Sequence, residues 1–227
     1  MAIKPKDMAK MIDHTILEPI ATVYDVKEKC DEAKEYEFTS VCVNPCFVPL
    51  ATQLLKETSV KVCTVIGFPL GASTPETKAY ETKNAVNNGA QEIDLALNVG
   101  PIRSHNWEFV KREVKAVVDA TKIAGVTKDI ITKVIIEPAY LNEDEIKKVS
   151  EIAKKNGADF IKVSTGFASR GATMEDVSLI RKTVGRSIGV KAVGEIKNFD
   201  DALDMLDAGA NRIGTSHGIA IVTGEDE

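Results

Sequence analysis

The chain has 227 residues, 44% of them hydrophobic and 28% charged, with a formal net charge of −5. That length can bury a sizeable core without disulfides or metals, and it suits one α/β barrel or two small domains. The acidic balance argues against a nucleic-acid binder, which presents a basic face, and no apolar run approaches the roughly 20 residues that span a bilayer.

In chain order, the opening MAIKPKDMAKMIDH lacks the apolar stretch and small-residue cleavage pattern of an export signal, so a cytoplasmic protein is expected. The segment before Met11 reads as an extra helix, placed to cover one end of whatever follows. Short β-branched runs then alternate with longer amphipathic segments. The strands fall at 13–16, 39–43, 61–66, 92–97, 132–136, 159–163, 189–193 and 212–214. The helices between them fall at 23–36, 46–56, 75–88, 107–123, 142–156, 173–184 and 199–208.

Several boundaries carry their own chemistry. Thr74-Pro75-Glu76 sets a cap residue before a first-turn proline and an acid. Asn142 with Glu145 has the shape of a capping box. NNGAQEID, KNGADFIK and DAGANRIG repeat one unit, a helix stopped by glycine and followed at once by a strand. Eight parallel strands with helices between them close most readily into a (β/α)₈ TIM barrel. No linker or charge block divides the chain, so a single domain over 1–227 is expected.

The cysteines (Cys30, Cys42, Cys46 and Cys63) form no CxxC pair, and His14, His105 and His217 lie far apart. Neither a Walker A nor a G-x-G-x-x-G motif occurs. Free thiols, no metal and no cofactor are expected.

In such a barrel the chemistry sits at the C-terminal ends of the strands, so polar residues inside apolar strands are informative. Asp94 lies in IDLALN, Glu137 ends KVIIE, Lys162 lies in DFIKVSTG and Lys191 in IGVKAVG. Burial disfavours an ammonium, and a second ammonium nearby disfavours it further. The resulting neutral amine attacks carbonyls and forms a Schiff base. The sixth and seventh strands are neighbours, about 4.8 Å apart, so Lys162 and Lys191 can meet inside the barrel, with Asp94 as a partner for a proton or a water. Either lysine alone can instead end its strand and snorkel to the rim, and Glu137 can simply pair with a neighbouring lysine. Small-residue loops form a second signal. Ser164-Thr165-Gly166, Gly194 and Gly214-Thr215-Ser216 follow the last three strands, where barrels commonly bind phosphate.

IDHTILEP, SVCVNP, KVCTVIGFPLG, EIDLALNVG, KVIIE, DFIKVSTGF, VKAVG and RIGTSHG resemble, in order, the strand motifs of the deoxyribose-phosphate aldolases, over about residues 12 to 218. The resemblance implies a class I aldolase that needs no metal. Its reaction would be the reversible cleavage of 2-deoxy-D-ribose 5-phosphate to D-glyceraldehyde 3-phosphate and acetaldehyde. It gives Lys162 as the Schiff-base lysine and Lys191 as a second lysine that keeps the first free of its proton. Asp94 becomes the acid/base group acting through a water, and Asp13 and Cys42 line the site, Cys42 near the acetaldehyde end. Gly166, Gly194, Gly214 and Ser216 become phosphate-loop positions. Small aldehydes and sugar phosphates are the implied partners, and a homodimer or homotetramer the implied assembly.

The rim departs from the family pattern. The loop after the seventh strand usually reads Lys-Ala-Ser-Gly-Gly-Ile-Arg-Thr. Here Glu195 replaces a glycine, and Lys197 keeps the charge of the arginine without its bidentate fork. Val163, Pro138 and Glu18 also stand at altered positions, Glu18 where lysine is common. The changes leave the lysines and Asp94 intact and point to weaker phosphate recognition or a changed acceptor. A related Schiff-base aldolase with an altered or unphosphorylated substrate, and a silent sugar-phosphate-binding barrel, are the competing expectations.

Overall fold

Eight short parallel strands close on themselves in sequence order, β1 (Ile12–Ile16), β2 (Ser40–Val43), β3 (Lys61–Ile66), β4 (Glu92–Ala96), β5 (Ile131–Ile135), β6 (Phe160–Lys162), β7 (Gly189–Val193) and β8 (Arg212–Thr215). Closure is made by β1 pairing with β8, Asp13 opposite Gly214. The structure, a computed structural model, describes residues 3–125 and 129–224. The acidic ending Glu225-Asp226-Glu227 therefore lies outside the described residues.

The outer layer is α1 (Val23–Glu35), α2 (Val48–Leu54), α3 (Pro75–Asn87), α4 (Val99–Arg103), α5 (Trp107–Ala124), α6 (Glu143–Lys155), α7 (Met174–Val184), α8 (Phe199–Asp207) and α9 (Gly218–Thr223). The strands are sandwiched between this layer and the barrel interior, so β2, β4 and β7 are buried at every position. Their outward positions are apolar and pack on the helices, while inward positions such as Ser40, Asp94 and Lys191 are polar and join the network inside the barrel. One large apolar cluster lies between strands and helices, and includes Val41, Ile93, Val134, Ile161 and Val190.

The expected caps form. Asn142 and Glu145 exchange hydrogen bonds of 2.9 Å in each direction, and Thr74 accepts from Thr77 N at the start of α3. Gly89, Gly157 and Gly209, which follow α3, α6 and α8, all have positive φ, as helix-stopping glycines do.

The differences have local causes. The helix expected at 46–56 begins as a 3₁₀ turn, Pro45–Phe47, before α2. Its prolines supply no amide donors to extend the helix backwards. The N-terminal helix is likewise 3₁₀, Pro5–Met11. It leads into the start of β1 and packs on α9, so it lies away from the strand ends that carry the site. Two short helices, α4 and α9, and a 3₁₀ turn at Pro138–Tyr140 are additional. None is long enough to show a clear periodicity. Among the described residues, no helix is long and apolar enough to cross a membrane.

Candidate active site

Inside the barrel the inward positions of six strands carry charge. Asp94 on β4 is the hub. Its Oδ2 accepts from Lys162 Nζ and from Lys191 Nζ, both at 2.9 Å. Its Oδ1 accepts from Lys133 Nζ at 2.8 Å and from the Cys63 thiol at 3.3 Å. Lys162 and Lys191 are direct cross-strand partners on β6 and β7, as the spacing of neighbouring strands requires for them to meet. Below them, Asp13 Oδ2 lies 2.6 Å from Lys191 Nζ, and Asp13 Oδ1 accepts from Arg212 at 2.6 Å and from Ser40 Oγ at 2.6 Å. Glu92 closes the network on Lys133 at 2.6 Å and on Arg212 at 3.3 Å.

Burial alone would push each of these groups towards its neutral form. For most of the network the opposite charges win. Burial raises the Asp94 carboxyl, but Lys133, Lys162 and Lys191 outweigh it and hold it well below the usual carboxylate range. Asp13 is held down in the same way by Lys191, Lys133 and Arg212. Burial opposes the charge on Lys191 and Lys133, yet the carboxylates around them raise both above the usual lysine value. Three carboxylates, Asp13, Glu92 and Asp94, thus face four cations, Lys133, Lys162, Lys191 and Arg212. Lys162 has the sparsest set of acceptors of the four: Asp94 Oδ2, and the face of Phe68 with the ring centroid 5.8 Å away.

Cys42 is buried next to Cys63, its cross-strand partner, in a small cluster with Leu17, Val65 and Phe68. The hydrogen bond from Cys63 draws the Cys42 thiol down, whereas burial pushes the Cys63 thiol up. Cys42, Cys63 and Asp94 present ligand atoms within 4.8 Å of one another. A cation placed among them would meet the three ammonium groups already on Asp94, and that repulsion disfavours a metal there.

The barrel mouth on the β6–β8 side holds a cavity of about 180 Å³. Thr165, Gly166, Gly194, Gly214 and Ser216 line it, so five of the expected loop residues are brought together. Ser164 is not among them. It is buried, and its hydroxyl accepts from Gly166 N at 3.0 Å, shaping the loop from below. Gly214 has a second task, because a Cβ there would lie 2.8 Å from Lys191 Cε. Any side chain at this position would displace the second lysine. Gly194 approaches Gly171 so closely that a Cβ on it would sit 2.6 Å from Gly171 Cα, which pins the loop after β6 against the end of β7. Glu18, Glu195 and Lys197 complete the rim. Glu195 is exposed and holds a φ of 59°, a conformation a glycine would adopt without strain.

Sequence reasoning passed over Lys133, Glu92, Arg212 and Cys63. The signal was present for Lys133, a lysine in an apolar strand (ITKVI) like the two that were singled out. Glu92 and Arg212 each open a strand, where a charged residue looks like a solvated end. Glu137, noted only as a strand end, is buried at a φ of 54°, and its Oε2 accepts from Thr165 N at 2.9 Å and from Thr165 Oγ1 at 2.5 Å.

Residues 7–224 match the family model described as DeoC/LacD family aldolase. A deoxyribose-phosphate aldolase of Caldanaerobacter subterraneus is 55% identical over 216 residues, covering 95% of this chain and 92% of the relative. One from Halalkalibacterium halodurans is 54% identical over 221 residues, covering 97% and 96%. Among solved structures, a putative deoxyribose-phosphate aldolase from Coccidioides immitis superposes with a TM-score of 0.93 at 38% identity, over 99% of this chain and 87% of the other. The tetrameric deoxyribose phosphate aldolase from Aeropyrum pernix does so with a TM-score of 0.89 at 32% identity, over 97% and 92%.

Proposed function

The chain belongs to the DeoC/LacD aldolase family, and from that premise we propose that Lys162 carries its chemistry. The enzyme is a class I aldolase, an aldehyde-lyase. It reversibly cleaves 2-deoxy-D-ribose 5-phosphate to D-glyceraldehyde 3-phosphate and acetaldehyde through a lysine Schiff base.

The observation that carries the assignment to Lys162 is its place in the charge network. Four cations face the three carboxylates of Asp13, Glu92 and Asp94, and Lys162 is the one held by a single carboxylate, whereas Lys133, Lys191 and Arg212 each meet at least two. The freed Nζ attacks the C1 aldehyde of the open-chain sugar, and the carbinolamine loses water to give an iminium. The C2–C3 bond then breaks. Its electron pair passes into the iminium as an enamine, while the C3 hydroxyl gives up its proton and becomes the aldehyde of D-glyceraldehyde 3-phosphate. Protonation of the enamine carbon and hydrolysis return acetaldehyde and Lys162.

Asp94 starts with both oxygens engaged and its carboxyl held far down, so it is a poor proton acceptor at rest. When Lys162 becomes an iminium, its three N–H donors fall to one, and turning that N–H from Asp94 frees a site on Oδ2. That oxygen can then hold a water for the proton transfers at C3 and at the enamine carbon. Lys191, kept charged by Asp13 and Asp94, supplies a fixed positive field beside the iminium nitrogen. Cys42 and Asp13 shape the acetaldehyde end. The cavity of Thr165, Gly166, Gly194, Gly214 and Ser216 takes the phosphate with Lys197, and the single domain over 1–227 carries both parts. Glu18 and Glu195 on the same rim favour weaker phosphate recognition than the usual loop provides, or a less charged acceptor. Small aldehydes and sugar phosphates are the substrates, and a homodimer or homotetramer is the assembly, in line with the tetramer of the Aeropyrum pernix relative.

Turnover of 2-deoxyribose 5-phosphate and of unphosphorylated 2-deoxyribose by the wild type and Lys162→Ala tests this directly. Cleavage by the wild type and none by the variant is expected. Retained cleavage by a folded Lys162→Ala enzyme would refute the assignment.

A further inference from the structure

On the β3–β6 side of the mouth lies a second cavity of about 320 Å³, divided from the first by Thr165 and Phe167, which line both. Its walls are apolar, built chiefly from Leu70, Leu97, Ile135 and Phe167. Its one carboxylate is Glu137, which is buried apart from 6% of its surface. Oε2 of that carboxylate is tied to the Thr165 amide and hydroxyl, but buried Oε1 has no hydrogen-bond partner. A buried acceptor without a donor is costly, and Glu137 in addition holds a left-handed backbone conformation that is strained for a non-glycine residue. An apolar hollow of small-ligand size with a single convergent polar group is the ordinary form of a binding site.

We propose that this cavity binds a small uncharged molecule with an apolar body and one hydroxyl, which donates to Glu137 Oε1. The body displaces water from the exposed faces of Leu70 and Phe167, over a floor of buried Leu97 and Ile135, while the hydroxyl supplies the missing donor. The half-exposed rings of Phe167 and Tyr140 line the cavity and add apolar surface for that body. An ammonium is the poorer guest, because Arg170, paired with Asp176, already lies within electrostatic reach of Glu137 and Lys162 lies on the next strand to Ile135. The site is separate from the Schiff-base assignment and does not depend on turnover.

The test uses two probes, 3-phenylpropan-1-ol and its methyl ether, titrated into the substrate-free enzyme and followed by protein NMR. The alcohol is expected to produce saturable shifts at Leu97, Thr165 and Phe167. The ether, which cannot donate, should bind at least about tenfold more weakly, the loss of a hydrogen bond to a charged group. In Glu137→Gln the amide oxygen keeps the Thr165 contacts and the amide nitrogen faces the probe, so the alcohol's advantage over the ether should disappear. Leu70→Gln, at an exposed rim position, should weaken both probes alike and leave their ratio intact. Equal binding of alcohol and ether to the wild type, or no saturable shift at these residues, would overturn the proposal. An alcohol preference that survives in Glu137→Gln would overturn it as well.

Discussion

Lys162 and Lys78 are both buried lysines, and they sit in opposite kinds of site. Lys78, on α3, spends its ammonium entirely on the protein. It donates to Gly71 O and Ala96 O at 2.7 Å each and to Glu113, in a closed pair with no exposed surface on either side chain. Burial dominates there, lowering Lys78 and raising Glu113 from their usual values. Lys162 shares one carboxylate oxygen with Lys191 and is otherwise bounded by an aromatic face. Desolvation acts on both sites, but only the second crowds several opposite charges together and leaves one lysine, at the end of a strand, with a single carboxylate partner and no carbonyl acceptor. The difference teaches how to tell a structural lysine from a reactive one: count what the ammonium already holds.

That contrast can be broken most severely by exchanging outcomes. Lys162→Met is expected to lower kcat on the order of 10⁴-fold or more, as loss of a covalent nucleophile does. Its melting temperature should change little, because Asp94 keeps Lys133 and Lys191. Lys78→Met should do the reverse. It strands Glu113 in the interior and costs about 3–5 kcal/mol of stability in denaturant titration, with kcat per folded molecule retained. A catalytic collapse in Lys78→Met without destabilisation would erase the distinction.

The acid limb of stability gives a smaller effect. Asp13 and Asp94 have folded pKa values below their unfolded ones. Their contribution is therefore fully present above the unfolded value of about 3.9 and is lost as pH falls below it towards the folded values. Lys133 and Lys191 are raised, so theirs is present below about 10.4 and lost only as pH rises through the folded values. Thermal melts should be flat for these groups between those limits and fall on acidification below about pH 4. Asp94→Asn should start lower and fall less steeply over the same acid range; an identical slope would mean that the hub contributes nothing to the limb.

The smallest effect is expected at the rim. Glu195→Gly removes a carboxylate from the phosphate side of the mouth and relaxes a positive φ. KM for 2-deoxyribose 5-phosphate should fall a few-fold, with KM for unphosphorylated deoxyribose unchanged and stability raised by no more than about 1 kcal/mol, since relief of the left-handed backbone, about 1–2 kcal/mol, is partly offset by the entropy cost of glycine, about 0.5–1 kcal/mol. An unchanged KM for the phosphorylated sugar would remove Glu195 from substrate recognition.

Much of the barrel was legible because the outward positions of its strands are apolar and pack on the helices. The strands at 61–66 and 189–193 fall where they were expected. The short helices α4 and α9 escaped because five or six residues hold too little periodicity. In the site, Lys162, Lys191 and Asp94 were visible as charges in apolar strands, and the register of β6 and β7 brings the lysines together. Lys133 carried the same signal and was overlooked beside its louder neighbours. Lys78 and Glu113 could not be found this way, since a lysine and a glutamate on amphipathic helices look solvated. Their pairing depends on how α3 packs against α5. The orphaned Glu137 oxygen was equally silent, because satisfaction of a side chain is a property of the folded neighbourhood.

The most direct measurement is to incubate the enzyme with acetaldehyde, reduce with borohydride and map the modified lysine by mass spectrometry. A single adduct on Lys162, absent in Lys162→Met, with Lys78, Lys133 and Lys191 unmodified, is the predicted result. An adduct on Lys191 or Lys133 with Lys162 untouched, or no adduct at all, would contradict it.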